Sequence, residues 1–267
     1  MLQKIKECTS YINDKISINT NTAIILGTGL GKLAEEIVVE KSLSYKDIPH
    51  FPLSTVEGHS GRLIYGKLGN KRVIAMQGRF HYYEGYSMQE VTFPIRVLKA
   101  LGIQRLFVSN AAGAMNPSYN VGDIMIISDH INLFPEHPLV GKNIEELGPR
   151  FPDMSEVYDK NLITKARNIA YENNILLQTG VYVGVSGPTY ETPAEYRYFR
   201  IIGGDVVGMS TVPEIIVAKH MNMVCFGMSV ITDSGAQEKL KAITHEEVQK
   251  VGELAQPKMA EIFKNLL

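Results

Sequence analysis

Apolar residues at Leu2, Ile5, Cys8, Ile12 and Ile16 recur in steps of three and four, a spacing that predicts an amphipathic helix at the start of the chain. Ala23-Ile-Ile-Leu26 is then a short unbroken apolar run, the pattern of a strand buried on both faces. It leads into Gly27-Thr-Gly-Leu-Gly31, and Leu33, Ile37 and Val38 predict a helix behind that loop. Arg62-Leu-Ile-Tyr65 and Arg72-Val-Ile-Ala-Met76 read as strands on either side of a Gly69-Asn70 hairpin turn. Ser87 and Glu90 form a capping box for a helix toward Leu101, in which Pro94 either makes a kink or moves the start to near Thr92. Arg105-Leu-Phe-Val-Ser109 and Asp123-Ile-Met-Ile-Ile-Ser128 are further strands, with Asn110 to Pro117 as a loop between them. From Leu133 to Met154 periodicity fades and Pro135, Pro138, Pro149 and Pro152 intervene, so this stretch reads as a long irregular loop of the kind that usually carries function. Val181 to Val185 and Met223 to Ile231 are strands. Thr192-Pro-Ala-Glu195 opens a helix with a cap, a first-turn proline and a capping-box glutamate, and Thr211-Val-Pro-Glu214 repeats the device. Thr244-His-Glu-Glu247 caps a last helix with an apolar face of Val248, Val251, Ala255, Met259, Ile262 and Leu266.

Strands alternating with helices predict an α/β fold: a single domain over residues 1–267, with a central mixed sheet flanked by helices on both faces. The composition agrees, since 45% hydrophobic and 21% charged residues suit a folded globular chain, and no repeat or linker interrupts it. A net charge of −1 argues against a polymer-binding surface, so nucleic acid is not an expected partner. Cys8 and Cys225 make no disulfide framework and fit no zinc spacing. No apolar stretch has the length of a membrane span or the pattern of a secretion signal, and the cytosol is the expected location.

The glycine loop invites a dinucleotide reading, but that fingerprint needs glycine at position 32, where Lys32 stands. A nucleotide-phosphate loop of the Walker type fails as well, because Leu33 follows Lys32. What survives is a backbone that a ligand can approach, with an anion favoured at a helix start; a purely structural turn remains open. Gln77-Gly-Arg-Phe-His-Tyr-Tyr-Glu-Gly85 is denser, placing Arg79, His81, Tyr83 and Glu84 directly after a predicted strand, where open α/β sheets bind ligands. Arg79 offers donors to an oxyanion, and His81 offers a second if Glu84 orients it. Gly58-His-Ser-Gly-Arg62, with His59 between glycines, has the same character. No histidine pair has metal-binding spacing, and no serine sits in a nucleophile elbow.

Read in order, these segments together with Asn110-Ala-Ala-Gly113, Gly187-Pro-Thr-Tyr-Glu-Thr192, Val207-Gly-Met-Ser-Thr-Val-Pro-Glu214 and His245-Glu-Glu-Val248 strongly resemble the trimeric purine nucleoside phosphorylases. The resemblance implies a homotrimeric purine-salvage enzyme that splits inosine, guanosine and their 2'-deoxy forms with inorganic phosphate, yielding free base and pentose 1-phosphate. It implies no metal and no cofactor, with phosphate as co-substrate. It implies a phosphate site of Thr28, His59, Arg79, His81, Ser210 and the Ala111 amide. It implies sugar contacts from Tyr83, Met209 and His245, with Phe151 supplied by a neighbouring subunit. It implies a base site of Tyr190, Glu191 and Asp233, and makes His81, Glu191 and Asp233 the catalytic group.

Asp233 departs from the pattern, since the 6-oxopurine enzymes carry asparagine there. An asparagine amide donates and accepts at once, whereas an ionised aspartate only accepts and repels charge growing at O6. Asp233 is therefore expected either to be protonated and donate, or to accept from the 6-amino group of adenine. The related methylthioadenosine phosphorylases carry aspartate there, but lack the glutamate and histidine found here as Glu191 and His245. An adenosine- or methylthioadenosine-accepting phosphorylase is thus the alternative, and a nicotinamide-dependent oxidoreductase, resting on the glycine loop alone, is a remote one.

Overall fold

Ile24, Ile25 and Leu26 are buried because strand β1 (Thr22–Leu26) lies inside a nine-stranded sheet, paired in parallel with β4 (Lys71–Gln77) on one side and β5 (Arg105–Ala114) on the other. The structure is a computed structural model that describes residues 1–27, 31–55, 60–235 and 244–267. Beyond β4 the sheet continues antiparallel through β3 (Arg62–Leu68) to β2 (Ile37–Ser44). The β3–β4 turn is Gly69-Asn70 as expected, with Gly69 at φ +60°. On the other side β8 (Val206–Gly208), β7 (Leu177–Gly184), β6 (Ile124–Asn132) and β9 (Val224–Ser234) follow, and β9 pairs back onto β5 in parallel. Strands β5, β8, β7, β6 and β9 therefore close into a ring. The architecture is the expected α/β fold with a central mixed sheet.

Five of the six helices among the described residues fall into two packed groups. Helix α1 (Leu2–Lys15) meets α2 (Met88–Ala100), which meets α5 (Val212–His220); α3 (Lys160–Glu172) meets α6 (His245–Leu266), which also packs on β9. Helix α4 (Pro193–Ile201) opens with the expected capping box, Thr192 to Glu195, and α2 and α6 open with theirs. Buried residues surround α5 on nearly all sides, Glu214 included, as befits a helix enclosed by the core.

Several expectations need correction. Residues 31–36 form a 3-10 turn, and Ile37 and Val38 begin β2 in place of a helix. The β-branched Ile37-Val38-Val39 favours a strand, and only Ile37 of the three is buried, so no helical apolar face exists there. Asn110 to Ala114 are not loop: β5 runs through them because β9 supplies a parallel partner residue by residue. Pro94 does not move the start to near Thr92, since the Ser87–Glu90 box fixes it and the proline is buried within α2. Thr211 makes no side-chain cap, for a reason that belongs to the site. The stretch from Leu133 to Met154 is irregular as expected, apart from a short 3-10 turn at Glu145–Leu147.

Candidate active site

Strands β4, β1, β5 and β9 run parallel, so their C-terminal ends share one edge of the sheet. A cavity opens there. Arg79, His81 and Tyr83 enter it just after β4, Asn110 to Gly113 from β5, and Thr232 and Asp233 from β9. Met209 and Ser210 come from the β8–α5 junction, Tyr190 and Glu191 from the segment before α4, and His245 and Val248 from α6. This is the place where open α/β sheets bind ligands.

At one end Arg79 is almost wholly buried. Its Nε and Nη2 donate to the two Glu214 oxygens at 3.2 and 2.7 Å, a bidentate pair between groups 1% and 5% exposed. Nη1 donates to the Ser109 carbonyl at 2.8 Å and to Ser210 Oγ at 3.1 Å. The expected helix-capping glutamate is thus the counter-ion of the expected phosphate ligand. Gly27 is required beside it, because a Cβ there would lie 2.6 Å from the Ser109 carbonyl and 3.1 Å from Arg79 Nη1.

Ser210 is aimed by a strained turn. Thr211 sits at φ +70°, ψ −55°, and Val212 N donates to Ser210 O at 2.7 Å, closing a γ-turn of the costly sign. The Thr211 hydroxyl, unavailable as a cap, accepts from Asn110 Nδ2 at 2.9 Å and lies 3.2 Å from Ser210 Oγ. Arg79, Asn110 and Thr211 together hold the serine hydroxyl.

His81 is buried and stacks on Tyr83, with ring centroids 4.7 Å apart. Its Nδ1 lies 2.9 Å from Glu84 Oε1, the orienting contact expected from their spacing. Burial opposes the charge on Glu84, but hydrogen bonds from His81 and Thr55 outweigh it and draw the carboxyl down to about 2. Burial pushes the His81 imidazole below its usual range. A neutral ring beside an ionised acceptor carries its proton on Nδ1 and presents Nε2 as a lone pair. With Nδ1 turned to Glu84, the ring keeps Nε2 for a ligand.

At the other end Asp233 lines the cavity. It is 8% exposed, accepting from Tyr196 Oη at 2.8 Å on Oδ2 and from Thr232 Oγ1 at 2.9 Å on Oδ1. Burial raises its carboxyl, against the lowering effect of those two bonds. Glu191 is raised to about 7, by burial first and by the Asp233 charge in addition. Gly113 makes the room, since a Cβ there would lie 2.6 Å from Asp233 Oδ2 and 2.8 Å from Tyr196 Oη.

The cavity thus gathers Arg79, His81, Ala111, Ser210, Tyr83, Met209, His245, Tyr190, Glu191 and Asp233 from segments spread over most of the chain. Thr28 and His59 lie outside the described residues. Phe151 is 87% exposed on the long irregular loop and lines a different cavity with Arg150, His130 and His137, so its own chain does not bring it to this site. Glu214, Tyr196, Thr232 and Asn110 were missed as individual residues. Glu214 carried a signal, a lone acid followed by the apolar run Ile215 to Ala218; the Tyr196–Asp233 pair carried none. Among the described residues no group of three or more histidine, cysteine or acidic side chains could hold a metal ion.

The family model of the phosphorylase superfamily matches residues 21–267. The chain is 49% identical to purine nucleoside phosphorylase 1 of Bacillus subtilis, over 100% of this chain and 98% of the relative. It is 52% identical to purine nucleoside phosphorylase 1 of Geobacillus stearothermophilus, over 91% and 89%. Among solved structures, the purine nucleoside phosphorylase of Schistosoma mansoni in complex with adenosine superposes with a TM-score of 0.94 at 42% identity, covering 99% of this chain and 96% of that one. A structure of a Schistosoma purine nucleoside phosphorylase with hypoxanthine gives the same TM-score.

Proposed function

The chain belongs to the phosphorylase superfamily, and we propose that the cavity at the ends of β5 and β9 is its site for splitting purine nucleosides with phosphate. The protein is a pentosyltransferase, a purine nucleoside phosphorylase, and its substrates on this reading are inosine, guanosine and their 2'-deoxy forms. The observation that carries the assignment of the site is its polarity: a guanidinium, an imidazole and a strained serine hydroxyl at one end, and two carboxyls with raised affinity for protons at the other. Tyr83, Met209 and His245 line the same cavity and on this reading take the sugar. The oxidoreductase alternative is not favoured, since the helix it needs behind the glycine loop is a 3-10 turn and a strand.

Breaking the glycosidic bond leaves positive charge on the sugar and moves negative charge onto the purine. A phosphate dianion below the sugar stabilises the first and then attacks it. Ser210 donates to that phosphate, the Ala111 amide contributes, and Thr28 and His59 join them on the family pattern. His81 Nε2 accepts the hydroxyl proton of monohydrogen phosphate, so the neutral imidazole orients the nucleophile without adding charge. Arg79 supplies the positive field, tempered by Glu214. Tyr190, Glu191 and Asp233 hold the base. The working unit is a cytosolic homotrimer, each chain one phosphorylase domain over residues 1–267. The exposed Phe151 closes the sugar site of the neighbouring copy.

Hypoxanthine release from inosine is expected only when phosphate is present; release at the same rate without phosphate would sink the phosphorolytic reading. The assembly has its own test. Phe151→Ala should leave the trimer mass in light scattering intact and raise KM for inosine by about tenfold, the worth of one buried aromatic contact. A monomer in solution, or an unchanged KM, would contradict the shared site.

A further inference from the structure

Tyr196 belongs to none of the motifs that suggested the function, yet two glycines make room for it. A Cβ at Gly113 would press on its hydroxyl, and a Cβ at Gly235 would run into its ring. The ring is 3% exposed on α4, and its hydroxyl donates to Asp233 Oδ2 at 2.8 Å. Glu191 lines the same cavity as Asp233, near enough for its carboxyl to interact with the same hydroxyl. A phenol has one hydrogen to give, so it cannot serve two ionised carboxylates; the second acid must bring its own proton. Like charges facing one partly buried cavity favour the same outcome.

On the reading of this cavity as a purine nucleoside site, we propose that Tyr196 is a positioning residue through which Glu191 and Asp233 share one proton, whose resting place sets the preference at the purine 6-position. The transfer is internal. The Glu191 proton passes to the phenolic oxygen as the phenolic proton passes to Asp233 Oδ2, and the pair keeps a single negative charge throughout. With the proton on Asp233, ionised Glu191 accepts the N1–H of a 6-oxopurine, and the neutral aspartyl no longer repels charge gathering at O6. With the proton on Glu191, the pattern inverts: Glu191 donates to a bare N1, and Asp233 accepts from a 6-amino group. This resolves how an aspartate can stand where a 6-oxopurine enzyme needs an amide. The other titratable groups facing the pair are Glu195 on α4, Tyr190 beside Glu191 and His245 on α6.

The first test uses the unaltered protein. Hypoxanthine binding is measured by calorimetry at pH ~6, below the Glu191 value, in two buffers of different ionisation enthalpy. Sharing predicts no net proton exchange with buffer, because Glu191 passes its proton inward; release approaching one proton per site would overturn the proposal. The second test is Tyr196→Phe, which keeps the ring and removes the hydroxyl. The kcat/KM for inosine should fall about tenfold, the value of a charge-assisted hydrogen bond, with adenosine less affected and a new ionisation in the inosine pH profile. In an Asp233→Asn background the same change should leave the pH profile unmoved. Equal losses on both nucleosides with an unaltered profile would make Tyr196 merely structural. Failure of the function reading looks different, since the unaltered protein would then not cleave inosine at all.

Discussion

Replacing Arg79 by alanine is expected to reduce phosphorolysis at least about a hundredfold and to destabilise the fold by about 3–5 kcal/mol. Both effects have one origin. The guanidinium is bonded twice to Glu214 and also to the Ser109 carbonyl and Ser210. Removing it strands a carboxylate that is 5% exposed in a helix whose residues are nearly all buried, and leaving a buried charge unpaired costs more than the pair itself contributes. It also frees Ser210 from one of the groups that aim it and removes the positive field at the phosphate end. Arg79→Lys should not restore either property, because an ammonium cannot span both Glu214 oxygens and Ser210 in one plane. Urea unfolding reads the stability and steady-state kinetics the activity. A lysine variant with normal values for both would show that charge alone, without the planar fork, suffices.

Glu191→Gln separates stability from activity in the opposite sense. Burial lifts the Glu191 carboxyl to about 7 from an ordinary value of 4.5, so the folded protein binds this proton more tightly than the unfolded chain. For an acid with a raised folded value, stability is lost as pH climbs from the ordinary value toward the folded one, and the full penalty applies above it. Allowing for partial exposure, that penalty is about 2 kcal/mol. Glutamine cannot ionise, so the variant should be more stable than the parent by about that amount at pH ~8 and equal to it near the ordinary glutamate value. Its kcat/KM for inosine should fall by about 10- to 100-fold, because an amide oxygen accepts the N1–H less strongly than a carboxylate. Urea melts at the two pH values, with inosine kinetics alongside, check both halves. A variant that gains activity with its stability would contradict the assignment of Glu191 to the base.

What could be read from the sequence, and what could not, divides along local and non-local lines. The Ser87, Thr192 and Thr244 caps and the Gly69-Asn70 turn were legible because each is closed within a few residues. Glu84 as the partner of His81 was legible for the same reason. Asn110 to Ala114 were misread as loop because their small residues look like a turn until β9, more than a hundred residues later, pairs with them. Thr211 and Glu214 follow the capping-box pattern, yet both side chains are taken by residues far away in the chain, Asn110 and Arg79. The strand at Ile37–Ser44 was misread because its first three positions offered too little period to oppose a helix. Most of the expected ligand residues converge on one cavity because the motifs sit at strand ends, and parallel strands bring their ends together. The tyrosine between the two base-end acids was invisible, since nothing near Tyr196 marks it as the neighbour of a residue on β9.

The central claim is that phosphate bound at the Arg79 end attacks the sugar of a purine nucleoside held by Glu191 and Asp233 at the other. The most direct measurement follows inosine cleavage with 18O-labelled phosphate and reads the sugar product by 31P NMR. The account predicts ribose 1-phosphate with labelled oxygen in the bridge to the sugar carbon, formed in step with hypoxanthine. Hypoxanthine accompanied by free ribose and unconsumed phosphate would contradict it.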